Sequence, residues 1–228
     1  MSKIRRDKER LIKSLIWEGV LKSSHCIEAF KRVPREKFVW PGFEDEAYID
    51  TPLPLGDTGQ TISAPHMAAY LIEELDLKPG QIVFEIGTGS GYQAALIAEC
   101  VAPTGLDEHY WGHVYTIEIN EVLVEFARRN LIETGYGDRV TVIRGDGSRG
   151  WPPELESELY DRIVITAAAP RIPTPLIKQL KKNGILLSPV GRGFLQDLVK
   201  IYKASDGSIY ETILLKCAFV PLRGKYGF

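Results

Sequence analysis

Residues 84–91, Phe-Glu-Ile-Gly-Thr-Gly-Ser-Gly, constrain this chain more than any other stretch. The apolar run 82–84 precedes them and the helix-like run 93–98 follows, so the segment reads as a strand, a glycine turn and a helix start. Such a unit opens nucleotide-binding α/β folds, where the ligand rests on the turn and on the N-terminus of the helix. A dinucleotide fingerprint, Gly-x-Gly-x-x-Gly, would need glycine at Tyr92. Here Gly87, Gly89 and Gly91 instead alternate with Thr88 and Ser90 behind the acidic Glu85. That alternation favours S-adenosylmethionine over NAD. The competing reading is a tight turn with no ligand, but three alternating glycines exceed what a turn needs.

The rest of the chain agrees with an α/β fold. Strand patterns at 82–86, 113–119, 139–144, 161–166 and 185–190 alternate with helix patterns at 92–101, 122–134 and 175–181. This alternation specifies a mostly parallel, doubly wound sheet, because parallel neighbours need crossover connections. Two further β-rich stretches, 197–203 and 208–220, flank an Ala-Ser-Asp-Gly turn and should end the sheet in antiparallel strands. Before the glycine turn, Leu11, Ile12, Leu15, Ile16 and Val20 recur at helical spacing. Ser23 or Ser24 can cap a second helix ending before Pro34. Residues 48–59 carry Pro52, Pro54, Gly56 and Gly59 without a period and read as a loop ordered by packing rather than by a ladder. A helix then starts near Pro65, with Ser63 or Ala64 as its cap. One domain is expected: N-terminal helices and a substrate loop over 1–78, a cofactor-binding core over 79–190 and antiparallel strands over 191–228.

Composition narrows the function. The net charge of −2 gives no basic field of the kind that holds nucleic acid, so no nucleic-acid partner is expected. No apolar run is long enough to span a bilayer, and the charged N-terminus lacks a signal-peptide core; the expectation is a cytoplasmic monomer without membrane contact. Cys26, Cys100 and Cys217 are odd in number and far apart, and read as reduced structural cysteines. His109 and His113 lie four apart without a third ligand, so no metal site is expected.

Three acidic or glycine positions fall at the ends of consecutive strands, where ligands bind in this architecture. Behind the glycine turn with Glu85, Glu118 closes the second strand and can accept hydrogen bonds from both hydroxyls of a ribose. Asp146, in Arg-Gly-Asp-Gly, can accept from an adenine amino group while Gly147 leaves room for the ring. Taken alone, Glu118 reads equally as an exposed strand-end acid and Asp146-Gly147 as a plain turn; their joint placement is the signal. In Gly59-Gln-Thr-Ile-Ser-Ala-Pro-His-Met67, the plain reading makes Ser63 a helix cap and His66 a first-turn residue. A serine hydrolase is a poor reading, since Ser63 lacks a Gly-x-Ser-x-Gly elbow and the four histidines give no triad order.

With those residues in view, the chain resembles the protein-L-isoaspartate O-methyltransferases, class I methyltransferases of Rossmann-like fold. The resemblance rests on the segments 32–38, 59–67, 85–93, 145–147, 166–170 and 219–222, of which Thr61-Ile-Ser-Ala-Pro-His-Met67 is the most specific. It implies an active-site serine at Ser63. It also implies S-adenosyl-L-methionine on Glu85, Gly87, Thr88, Gly89, Ser90, Gly91, Glu118, Asp146 and Gly147, leaving S-adenosyl-L-homocysteine as product. Substrate would be lined by Thr61, Ile62, His66, Val220, Pro221 and Leu222. The implied reaction is methylation of the α-carboxylate of L-isoaspartyl residues in damaged peptides and proteins, which starts their repair through a succinimide. Two departures stand out: Arg223 replaces a hydroxyl that some members offer, and the 104–111 insertion is long. A class I methyltransferase acting on a small molecule or RNA, a non-catalytic nucleotide-binding module and, more remotely, an NAD dehydrogenase remain open on the residues alone.

Overall fold

The computed structural model describes residues 3–153 and 155–228. Five parallel strands form its centre: β3 (Ile82–Ile86), β4 (His113–Glu118), β5 (Val140–Arg144), β6 (Tyr160–Ile165) and the start of β7 (Leu180–Val190). Two antiparallel strands, β8 (Gln196–Lys203) and β9 (Ile209–Cys217), extend the sheet past β7. The order β5-β4-β3-β6-β7-β8-β9 makes the chain leave β3 first to one side, through β4 and β5, and then to the other, through β6. Ligands of open α/β sheets bind at such a reversal, outside the carboxyl ends of the strands.

Successive residues on the central strands feed opposite faces. Val83, Val114, Val140, Val164 and Leu187 enter one buried apolar cluster, and Phe84, Ile163, Ile165 and Leu186 enter the other. The first cluster is the larger. It takes in α1 (Lys3–Trp17), α2 (Ser24–Arg32), α3 (Pro65–Glu74), α4 (Tyr92–Val101) and α5 (Glu121–Glu133). The second receives α6 (Thr174–Gln179) through Leu176. The N-terminal helices therefore share the core with the sheet: Leu15, Phe30 and Leu71 lie in the same cluster as Val83.

The structure corrects several local expectations. Residues 48–59 are not purely loop, because β1 (Leu53–Pro54) pairs antiparallel with β2 (Thr61–Ile62), a ladder too short for a period-two pattern to register. Ser23 occupies the cap position of α2, but its hydroxyl donates to Glu73 Oε2 at 2.6 Å instead of capping. Of the two cap candidates for α3, Ala64 is the one that precedes it, and the first helical residue, Pro65, has no N–H to satisfy. β7 begins at Leu180, five residues before the expected 185, and α6 is correspondingly short; Leu180 pairs with Tyr160 across an irregularity in the ladder. The 104–111 insertion folds back on itself, with Trp111 Nε1 donating to Leu106 O at 3.0 Å and the Arg139 guanidinium 5.4 Å from the Trp111 ring. Among the described residues, no helix is long and apolar enough to cross a membrane.

Candidate active site

At the strand reversal the backbone leaves β3 through Gly87, whose φ of +100° is favourable only for glycine. Gly87 N–H donates to Ile117 O at 2.9 Å, and the Thr166 hydroxyl donates to Gly87 O at 2.7 Å. A Cβ on Gly87 would stand 2.5 Å from Thr166 Oγ1, so the turn is clamped from β4 and from the end of β6 at once. Gly87, Thr88, Gly89 and Ser90 then line a cavity of about 440 Å³. Gly91 does not; it caps α4, and Leu131 and Ala127 press on the position a Cβ would take. Its lack of a side chain serves helix packing.

The two acids near this turn occupy different environments. Glu118, 2% exposed, lines the cavity, with Oε2 accepting from Gly89 N–H at 3.0 Å and Oε1 from Asn120 N–H at 2.9 Å. Those bonds fix the carboxylate and leave each oxygen a lone pair for a ligand hydroxyl. Glu85 lies fully buried beneath the turn, outside the cavity wall, and Thr116 donates to its Oε2 at 2.6 Å. Burial pushes its pKa up to about 8; the Thr116 donor opposes this and the neighbouring Glu118 adds to it. Glu85 therefore carries a proton at neutral pH, and its Oε1 has no partner among the described residues.

Gly145 and Gly147 reach the cavity, and a Cβ on Gly147 would stand 2.4 Å from Ile117 Cγ2 and 2.7 Å from Ile86 Cγ2. Asp146 faces elsewhere. Its Oδ1 accepts from Ser148 N–H and hydroxyl at 3.0 and 2.6 Å, and its Oδ2 accepts from Lys225 N–H at 2.8 Å. The carboxylate expected to meet an adenine amino group is thus engaged in fastening the C-terminal segment. Gly224 passes so near, at φ +132°, that a Cβ would fall 2.0 Å from Asp146 Oδ1.

The opposite wall comes from distant parts of the chain: Thr61, Ile62 and Ser63 from β2 and its continuation, and Val220, Pro221 and Leu222 from beyond β9. The latter three are held against 168, where Ala168 N–H donates to Val220 O and Leu222 N–H donates to Ala168 O, both at 2.8 Å. Ser63 is partly buried, and its hydroxyl makes no hydrogen bond among the described residues. Its carbonyl accepts from Arg35 Nη2 at 2.8 Å. His66, in contrast, turns outward: its N–H and Nδ1 lie 2.9 and 3.0 Å from Asp50 Oδ1, and it does not line the cavity. Arg223, exposed and without an ion pair among the described residues, completes the rim.

Sequence reasoning assigned no role to Arg35. It is fully buried, donates through Nε to Ala47 O at 2.7 Å and lies 4.8 Å from the Tyr92 ring centre, so it ties the Ser63 segment to both the N-terminal layer and α4. Burial lowers its pKa from the ordinary value, with Tyr92 and Tyr48 opposing. Set among charged neighbours in Arg35-Glu-Lys37, it looks like a surface residue in sequence. Gln93 was also missed: it lines the cavity, and neither its amide oxygen nor its nitrogen has a partner among the described residues. Its place in the first turn after the glycines was the available signal.

The cavity suits S-adenosylmethionine. Glycine backbone on one side permits close approach, Glu118 offers two oriented acceptors, and Ile117 and Leu222 supply apolar wall.

Comparison with known proteins leads the same way. The profile of the protein-L-isoaspartate(D-aspartate) O-methyltransferases matches residues 5–227. A Hyperthermus butylicus protein-L-isoaspartate O-methyltransferase is 54% identical over 98% of this chain and 91% of its own length. One from Staphylothermus marinus is 49% identical over 100% and 98%. Among solved structures, a protein-L-isoaspartate O-methyltransferase superposes with a TM-score of 0.83 at 30% identity, covering 96% of this chain and 67% of the other. A Plasmodium falciparum protein described as an enzyme of the same kind, in complex with S-adenosyl-L-homocysteine, superposes with a TM-score of 0.79 at 28% identity over 94% and 97%. This chain belongs to the protein-L-isoaspartate(D-aspartate) O-methyltransferase family.

Proposed function

We propose that the cavity transfers a methyl group from S-adenosylmethionine to the α-carboxylate of an L-isoaspartyl residue, with Ser63 as the group that orients the acceptor. The observation carrying this reading is the presence, in one cavity, of the glycine turn with Glu118 and of the unbonded Ser63 hydroxyl. S-adenosylmethionine, when bound, supplies an electrophilic methyl carbon on a positively charged sulfur.

The acceptor carboxylate is already ionised at neutral pH, so the chain need not provide a strong base. Its task is alignment. Gly87 and Gly89 bring backbone close to the donor, and Glu118 takes its ribose hydroxyls. Ser63 donates a hydrogen bond to the carboxylate, and Val220, Pro221 and Leu222 exclude water that would shield the anion. Arg35 acts as a positioning residue by holding the Ser63 carbonyl. Esterification gives the carbonyl carbon a methoxy leaving group in place of an oxide, so the neighbouring backbone nitrogen closes a succinimide with loss of its proton and the methoxy group as methanol; hydrolysis of the succinimide returns some normal aspartyl linkage. Substrates on this reading are flexible damaged segments recognised mainly through their backbone. A cytoplasmic monomer is part of the proposal, and the buried cysteines, all free, are compatible with a reducing compartment.

The test is transfer of labelled methyl to an isoaspartyl peptide and to its aspartyl twin. Labelling of the first alone is expected; equal labelling of both defeats the reading. Ser63→Ala should lower kcat roughly 10- to 100-fold, the range of a hydrogen bond to a charged group, while leaving the affinity for S-adenosylhomocysteine unchanged.

A further inference from the structure

Away from the cavity, the packing of α2 on α4 brings together three side chains that sequence spacing kept apart. His25 and Cys26 come from the first turn of α2 and Cys100 from the last turn of α4. A ligating nitrogen of His25 and the two sulfurs all lie within 4.8 Å of one another. Both cysteines are fully buried in the larger apolar cluster, whereas His25 is accessible from the surface. The Cys26 sulfur neighbours both the Cys100 sulfur and the His25 ring.

We propose that His25, Cys26 and Cys100 form a binding site for a single thiophilic d10 dication, Zn²⁺, which joins α2 to α4. The donor set decides the class of ion. Two sulfurs and an imidazole, with no carboxylate in the group among the described residues, disfavour magnesium, calcium and manganese and suit zinc. Charge decides within the class. Two thiolates neutralise a dication, whereas a monovalent ion would leave net negative charge inside an apolar cluster. Spacing is compatible too: Zn–S bonds near ~2.3 Å and Zn–N bonds near ~2.0 Å in a tetrahedron require donor atoms roughly 3.5–4 Å apart, within about 1 Å of the present arrangement.

The fourth position falls to water. Glu73, which acts electrostatically on His25, has its oxygens occupied by Lys22 N–H, Ser23 N–H and the Ser23 hydroxyl. Asp76, the other acid near His25, faces Lys78 and Arg162. Three protein ligands and one exchangeable water describe a closed apolar pocket with a single wet side. The site is distinct from the methyl-transfer cavity, none of whose lining residues it shares. Its effect is mechanical: α4 starts at the glycine turn, and the ion would pin the other end of that helix to the N-terminal layer.

The test starts from purified chain stripped with a chelator under reducing conditions. Titrated with Zn²⁺ against a chromogenic competitor, it should take up one ion per chain, and Cd²⁺ in its place should give thiolate-to-metal charge-transfer absorption. Cys26→Ser should abolish saturable uptake and the absorption. His25→Gln, a change at the surface that leaves the core intact, should weaken binding at least about tenfold. Zn²⁺ should raise the thermal midpoint of the unaltered chain and leave that of Cys26→Ser unmoved, each compared with its own metal-free midpoint. The assignment is overturned by absence of uptake, by uptake undiminished in both variants, by binding of Cu⁺ without Zn²⁺, or by chain isolated anaerobically with Cys26 and Cys100 already joined as a disulfide.

Discussion

The two walls of the active-site cavity are made by different means. On the proposed donor side, one continuous run from β3 into α4 places Gly87, Thr88, Gly89 and Ser90, and the next strand delivers Glu118. On the proposed acceptor side, Ser63, Ala167 and Val220 arrive from three separated segments; Ser63 is held by Arg35, and the segment after β9 by Ala168 and Asp146. A wall built from backbone conformation is specified locally. A wall built by convergence depends on the whole fold, and damage to it should appear in acceptor binding and turnover before it appears in donor affinity.

The largest effect should come from Gly87→Ala. The added methyl meets Thr166 Oγ1 at 2.5 Å in a left-handed backbone conformation, and strain of roughly 1–3 kcal/mol for the conformation alone adds to the clash. Calorimetric titration should find S-adenosylhomocysteine affinity reduced by at least about a hundredfold, the equivalent of about 3 kcal/mol; near-normal affinity would mean that the turn is not the donor cradle. Arg35→Met comes next. It strips hydrogen bonds from Ala47 O and Ser63 O, at about 1–3 kcal/mol for each buried carbonyl left unpaired. Denaturant unfolding should show that loss, and kcat should fall more than donor affinity in the fraction that remains folded. Equal losses in both would remove the contrast between the walls.

These two residues also separate what sequence made legible from what it did not. The glycine turn announces itself through spacing, and the central strands and α4 follow from apolar periodicity because each is decided by near neighbours. Strand β3 and helix α4 match their expected bounds to the residue. Arg35 lies in the resemblance segment 32–38, but nothing there marks it as buried: its burial depends on Ala47, Ser63 and Tyr92 surrounding it, and an arginine in a charged stretch looks solvated until they do. Asp146 and His66 show the complementary case. Both lie in segments that the family resemblance singles out, yet the first is turned toward Ser148 and Lys225 and the second toward Asp50. A motif fixes which backbone is near a ligand, whereas side-chain direction is settled by neighbours that the motif does not contain.

A smaller effect is expected from Gly224→Ala. Its Cβ would collide with Asp146 Oδ1 at 2.0 Å, so the contacts of Lys225 N–H with Asp146 and of Tyr226 N–H with the Ser148 hydroxyl must loosen. Steady-state kinetics should show a severalfold rise in KM for peptide with little change in donor affinity; the reverse pattern would place this segment on the donor side. The last prediction concerns Glu85, whose effect falls on the pH profile of stability rather than on either wall. Its carboxyl is ionised in the unfolded chain above the ordinary value of 4.5 but remains protonated in the folded chain until about pH 8. Between those values the folded state holds the extra proton, so the group's contribution to stability is full below pH 4.5 and is lost as pH rises through about 8. Glu85→Gln should flatten that part of the stability profile in thermal melts across pH, and an unchanged slope would show that Glu85 is ionised in the folded protein.

The attachment of the last residues to Asp146 has a practical corollary for handling the molecule. Phe228 N–H donates to Leu222 O at 2.9 Å, two residues from Val220 on the proposed acceptor wall, so any peptide continued past Phe228 emerges beside the cavity mouth that the proposed reading gives to the damaged segment. Purification tags and fusion partners belong at the other terminus, and a tag placed here would imitate a competitive inhibitor tethered at its own doorstep.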